Sequence, residues 1–224
     1  TDYGSVDEHT LSTQEAMAYV AVAYDVSKAY CNVHNIDFKP FKLTLTSELN
    51  SQENKKYGFG SSGVVIVATL SAILKFHGLE IDKLTLFKLA VVAQKRMNKM
   101  SSGGDLAASI YDGLIRYTRY DLTEVTDDVS CVFNDWNHLI IEPLKHDLNF
   151  EVCWTKESHD TNKALKSFRQ FKEDNPKKYF ELLQEANDIV LNALEEAILP
   201  SIALYRNWML KLSKILNYEI ETEA

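Results

Sequence analysis

Lys56-Tyr57-Gly58-Phe59-Gly60-Ser61-Ser62-Gly63-Val64-Val65 is the stretch on which the reading of this chain turns. Residues 58–63 satisfy the pattern GxGxxG, so a dinucleotide fold has to be weighed first. That motif needs a buried strand running straight into the first glycine, and an acidic residue ending a second strand about 20 positions on. Here the nearest strand-like alternation, residues 41–47, stops ten residues upstream across the polar stretch 48–56. Glu80 and Asp82 lie at the right distance but precede a helical pattern. A Walker A loop is excluded because no Gly-Lys-Ser or Gly-Lys-Thr follows. What survives is a glycine- and serine-rich loop opening a long apolar helix. Its free N–H groups and dipole would make an anion site, with Ser61 or Ser62 as hydroxyl donor or Mg²⁺ ligand and Lys56 as counter-charge. The plainer alternative is a serine N-cap with turn glycines.

A second cluster, Ser101-Ser102-Gly103-Gly104-Asp105, repeats this chemistry. Asp105 suits the first turn of the helix that follows, as a cap, or as the carboxylate that orients or deprotonates an acceptor in phosphoryl transfer. The two clusters dominate the glycine usage. The chain of 224 residues has only eight glycines, about half the usual ~7%, and seven of them fall between Gly58 and Gly113.

Outward from these clusters, helices are expected from about Ser12 to Val33, over 64–77 with Gly78 ending it, and from an Asp82 N-cap to about Met100. A small-residue helix runs over 106–112 to Gly113. Strands are expected at 41–47, 114–120, 139–144 and 150–154. Helices at about 161–173, 176–197 and 200–217 follow with almost no glycine, and this change of composition places a domain boundary near residue 145.

Composition removes several classes of function. A net charge of −8 with no basic run longer than a pair does not suit phosphate neutralisation, so nucleic acid is not an expected partner. The apolar stretch 64–76 is interrupted by Thr69, Ser71 and Lys75 and falls short of the about 20 residues a bilayer span needs, so no membrane is expected. Cys31, Cys131 and Cys153 are odd in number and lack metal spacing, which reads as reduced core thiols in a cytoplasmic protein. The six histidines show no paired-ligand spacing, and His77 reads as a helix-end residue. Trp136, Trp154 and Trp208 lie in apolar patterns and read as core. Thr1 is not a natural initiator, so the true start is expected to lie elsewhere.

Residues 56–65 resemble the phosphate loop of the GHMP small-molecule kinases, whose pattern is GLGSSAA or a near variant. The Lys-Tyr-Gly lead-in, residues 101–107 and WNHLIIEPL at 136–144 are similar, in that order, to bacterial phosphomevalonate kinases. The resemblance implies an α+β GHMP kinase fold: a ribosomal protein S5 domain 2-like N-terminal domain at 1–145 and a ferredoxin-like α+β C-terminal domain beginning at 146–224. It implies ATP-dependent phosphorylation of 5-phosphomevalonate to 5-diphosphomevalonate in isoprenoid biosynthesis, by a monomer or homodimer. Lys56, Gly58, Gly60, Ser61, Ser62 and Gly63 would hold the ATP phosphates, Ser61 Mg²⁺, and Ser101, Ser102, Gly103 and Thr161 the acceptor. Asp105 matches the family's motif aspartate.

The chain also departs from that pattern. Residues 154–161 read Trp-Thr-Lys-Glu-Ser-His-Asp-Thr where phosphomevalonate kinases have W-T-G-x-P-A-S followed by Ser or Thr, and Thr155, Lys156, Thr161, Ala164 and Leu165 resemble mevalonate kinase instead. Gln94 stands eleven residues before Asp105, where mevalonate kinases carry a second Mg²⁺-binding Glu. The amino-terminal P-G-K-L and carboxy-terminal G-A-G-G-G-D-C motifs do not occur, so the chain reads as an internal piece, inactive alone. Mevalonate kinase and a non-catalytic nucleotide-binding paralogue remain the alternatives.

Overall fold

A computed structural model describes residues 15–45, 61–146, 148–151, 161–195 and 198–218. It divides into two units, Thr1–Val152 and Cys153–Ala224. In the first, helix α2 (Ser61–Phe76) packs against α1 (Glu15–Val33), α3 (Lys83–Arg96) and α4 (Gly104–Ile110). Its buried positions, Gly63, Ile66, Val67, Leu70, Ile73 and Leu74, recur at helical spacing, so one stripe faces the core while Ser71, Lys75 and Phe76 face out. The Thr69 hydroxyl is buried without a hydrogen-bond partner among the described residues.

Helix α3 is enclosed on every side: residues 87–94 are all buried, more than two full turns. Its one charge there, Lys88, is neutralised by dipoles. The ammonium donates to the carbonyls of Asn134 (2.6 Å) and Val132 (3.4 Å) and lies 5.4 Å from the Trp136 ring centroid. Burial of an ammonium is tolerated only with such partners. Asp82 caps the helix, accepting from the Thr85 amide (2.9 Å) and hydroxyl (2.7 Å), and these bonds hold its carboxyl below the usual range.

Helix ends explain the glycine shortage. α1, α3 and α7 each finish on an asparagine at positive φ, Asn35, Asn98 and Asn217, where α2 uses Gly78. In all four the amide of the following residue closes a 6→1 bond, as in Lys99 N–H to Gln94 O at 3.0 Å and Leu79 N–H to Leu74 O at 3.0 Å. The α3 helix therefore stops at Arg96, short of the expected Met100.

Strands β1 (Ile115–Thr118) and β2 (Ile140–Pro143) pair antiparallel, Tyr117 opposite Ile141. Between them the chain makes short 3-10 turns at Leu122–Glu124 and Val129–Phe133, N-capped by Asp121 and Asp128. Trp136 is buried and donates its indole N–H to Cys131 O at 3.0 Å. The strand expected at 41–47 is not formed over residues 41–45. The alternation is real, with Phe41, Leu43 and Leu45 half-buried, but Phe41 packs on Phe38, Tyr24 and Phe76 rather than in a ladder. Residues 46–47 lie outside the described set, as do 152–154 of the strand expected at 150–154, whose residues 150 and 151 are irregular. Ser12 and Trp154 also lie outside it. His77 ends α2 as expected, its Nδ1 2.8 Å from Ile73 O while Nε2 accepts from the Lys39 amide at 3.0 Å.

The second unit holds α5 (Thr161–Asp174), α6 (Pro176–Glu195) and α7 (Ile198–Leu216); the strands of a ferredoxin-like domain are not among its described residues. Asn175 and Pro176 give α6 the proline start that tolerates a missing N–H. Leu182, Trp208 and Leu212 form the core between α6 and α7, and the Trp208 indole donates to Leu182 O at 3.1 Å. Among the described residues no helix is long and apolar enough to cross a membrane, and no cluster of three His, Cys, Asp or Glu is placed to hold a metal ion.

Candidate active site

The two glycine clusters converge. A Cβ placed on Gly63, in the first turn of α2, would lie 2.9 Å from Asp105 Oδ2 and 3.1 Å from Leu106 Cδ2. Only a glycine lets the start of α2 come this near the carboxylate on α4. Asp105 itself is exposed, and its other oxygen, Oδ1, lies 3.1 Å from the Ser101 hydroxyl. One carboxylate oxygen is thus tied to the second cluster while the other faces the first.

Ser101 is the hub of that second cluster. Its hydroxyl lies 3.0 Å from Gln94 Oε1 and accepts the Gly103 amide at 3.0 Å. Gln94 also takes the Ser101 amide at 3.4 Å, which fixes its carbonyl end toward the loop. The Ser102 hydroxyl accepts the Gly104 amide at 3.3 Å. Gly103 adopts φ +84°, the left-handed conformation that lets the chain turn into α4. A side chain there has no room, since a Cβ would meet Tyr117 Oη at 2.6 Å and Phe87 Cζ at 3.4 Å.

From the sheet, the Tyr117 hydroxyl donates to Ser102 O at 2.7 Å, and the guanidinium of Arg119, one residue beyond β1, donates to Ser101 O at 2.9 Å. Burial pushes the Tyr117 phenol far above its ordinary value, so it stays a donor throughout the neutral range. Burial also raises Tyr120, opposed by the nearby Arg119 charge; its hydroxyl is buried without a hydrogen-bond partner among the described residues.

Of the expected site residues, Gly63, Ser101, Ser102, Gly103 and Asp105 are brought together. Ser61 and Ser62 open α2, with side chains outside the described set, and Lys56, Gly58 and Gly60 lie outside it altogether. Thr161 is the first residue of α5, in the second unit, and its side chain is likewise not described. Tyr117 and Arg119 had no place in the sequence reading. Their spacing was the available signal: residues two apart on a strand expected at 114–120 share a face.

This geometry coincides with a family match, because residues 18–113, which contain both clusters, match the GHMP kinases N terminal domain. Among curated proteins the chain is 33% identical over 156 residues to a phosphomevalonate kinase of Streptomyces sp. (strain CL190), covering 66% of this chain and 41% of that protein. It is 29% identical over 119 residues to a mevalonate kinase of Pyrococcus furiosus, covering 53% and 31%. The matches thus span less than half the length of these curated relatives. Among solved structures, the Lin0012 protein from Listeria innocua superposes with a TM-score of 0.88 at 27% identity, over 98% of this chain and 65% of that one. Streptococcus pneumoniae phosphomevalonate kinase, in complex with phosphomevalonate and AMPPNP, superposes at 0.75 and 22% identity, over 91% and 64%. The chain therefore carries the GHMP kinase fold, mixed helix and sheet and mostly helical.

Proposed function

We propose that the chain is the nucleotide- and acceptor-binding part of a cytoplasmic phosphomevalonate kinase, transferring the γ-phosphoryl group of ATP to 5-phosphomevalonate to give 5-diphosphomevalonate. The observation that carries the reading is the approach of Asp105 Oδ2 to the first turn of α2, 2.9 Å from where a Cβ on Gly63 would stand. It sets one carboxylate between a phosphate-loop helix and a hydroxyl-bearing loop, the arrangement that phosphoryl transfer between two bound phosphates requires. The similarity to the Streptomyces phosphomevalonate kinase supports the same choice. In this reading the domains are 1–145 and 146–224, in a monomer or homodimer.

The ATP phosphates would lie on Lys56, Gly58, Gly60, Ser61, Ser62 and Gly63, at the positive end of α2. The acceptor phosphate would meet Ser101, Ser102 and the Gly103 backbone. Mg²⁺ takes few protein ligands, hard oxygens beside substrate phosphates, and Asp105 Oδ2 facing the start of α2 shows that an oxygen donor is present there. Ser61 would hold the ion, which supplies charge neutralisation on the phosphates. The acceptor phosphate is largely ionised at neutral pH, its second pKa being about 6. Asp105, held by the Ser101 hydroxyl, therefore orients the acceptor more than it removes a proton, and positioning with charge stabilisation dominates.

Mevalonate kinase is the second reading, favoured by the Pyrococcus relative. Against it, the position of a second acidic metal ligand is held by Gln94, a neutral side chain already engaged with Ser101. ADP release from the full-length protein, measured with 5-phosphomevalonate and with mevalonate, decides between them, and turnover with neither overturns the enzyme. Asp105→Ala is expected to lower kcat at least about 100-fold with folding intact; an unchanged kcat removes Asp105 from the mechanism.

A further inference from the structure

We propose that Tyr117 and Arg119 are positioning residues, a two-pronged strap from the sheet that sets the acceptor-binding loop 101–104. Two hydrogen bonds and one steric fit point to it. The Tyr117 hydroxyl holds Ser102 O at 2.7 Å, and the Arg119 guanidinium holds Ser101 O at 2.9 Å. The Tyr117 hydroxyl also occupies the space a side chain on Gly103 would need, 2.6 Å from that Cβ position. The two residues are next but one along the chain, so both side chains leave the same side of the strand and its extension and reach successive carbonyls of one loop.

The strap matters because the loop's internal bonds do not fix its place, and Gln94 of α3 holds it only at Ser101. The Ser101 and Ser102 hydroxyls accept from Gly103 and Gly104 within the loop, and such local turns move as a body. Tyr117 sits opposite Ile141 in the antiparallel pair, so the loop, held to α3 at Ser101, takes the position of its Ser102 end from the sheet. Both prongs grip carbonyl oxygens, which leaves the exposed Ser102 hydroxyl, an acceptor from the Gly104 amide, with its proton to offer a ligand. Misplacement by about 1 Å costs on the order of 100-fold in a reaction that depends on alignment.

The catalytic consequence rests on the kinase reading, whereas the strap itself does not. Two measurements on the full-length protein separate them. Amide hydrogen exchange of residues 101–104, without substrate, is expected to quicken about tenfold in Tyr117→Phe and in Arg119→Met, with α3 amides unchanged. No quickening overturns the strap, whatever the activity. With ATP and 5-phosphomevalonate, both variants are expected to lose about tenfold in kcat while the KM for ATP stays within about twofold. Arg119→Lys, which keeps a donor, is expected to restore most of the loss. A loosened loop with unchanged kcat, or an equal rise in the KM for ATP, overturns the positioning role. An inactive wild type overturns the kinase reading and leaves the exchange experiment to decide the strap.

Discussion

Gly78 and Gly103 share a backbone conformation, with φ of +80° and +84°, and differ in what surrounds them. Around Gly78 a Cβ would meet nothing within 4 Å; around Gly103 it would strike the Tyr117 hydroxyl and touch Phe87 and Tyr120. The first glycine ends a helix, a task the chain gives to asparagine at Asn35, Asn98 and Asn217. The second is required by its neighbours as well as by its dihedral angles. A left-handed glycine marks a site only where the space beside it is also taken.

The sharpest way to break this contrast is Gly103→Ala. Backbone strain of about 1–2 kcal/mol adds to an overlap of about 1–3 kcal/mol, and denaturant unfolding should show a loss of both. Adding Tyr117→Phe removes the atom the new methyl strikes, so the double variant should regain about 1 kcal/mol relative to the sum of the single changes. Additive losses would mean that the contact is not the constraint.

Gly63→Ala tests the other crowded glycine. Alanine favours the helix by about 1 kcal/mol, yet its methyl displaces the Asp105 carboxylate. Stability should hold or rise while kcat falls about tenfold. A fully active variant would detach Asp105 from the start of α2.

Gly78→Ala should cost about 1 kcal/mol in strain alone, with turnover unchanged. Asp82→Ala, four residues on, should also cost about 1 kcal/mol through the lost N-cap. Its carboxyl is lowered in the folded state, chiefly by the Thr85 hydroxyl. The contribution is therefore complete above the unfolded carboxylate value, about 3.9, and fades as pH falls through the lower folded value. In urea unfolding the gap between wild type and variant should be full at pH 7 and narrow as pH falls below about 3.9. Asn98→Gly should be the mildest change, within about 0.5 kcal/mol, because the turn needs only a left-handed residue.

Much of the fold was legible because local signals agreed with the packing. The apolar stripe of α2, the Asp82 cap and the serine-glycine clusters are each visible over a few residues. Residues 41–45 misled for a physical reason: alternation reports alternate burial, and an aromatic cluster around Phe38 and His77 buries every second residue without a ladder. In the site, the types at 101–105 announced phosphate chemistry, whereas the strap did not. Tyr117 and Arg119 act through backbone carbonyls of residues more than a dozen positions away. No local pattern records which carbonyl a strand side chain will reach.

Lys88 carries a practical consequence. Its amine is spent on two carbonyls beneath an indole, so an acylating reagent that modifies the surface lysines should reach it only when the first unit opens. Its labelling rate, read by mass spectrometry against that of exposed Lys75, would then clock the opening of that unit in a mixture too complex for spectroscopy.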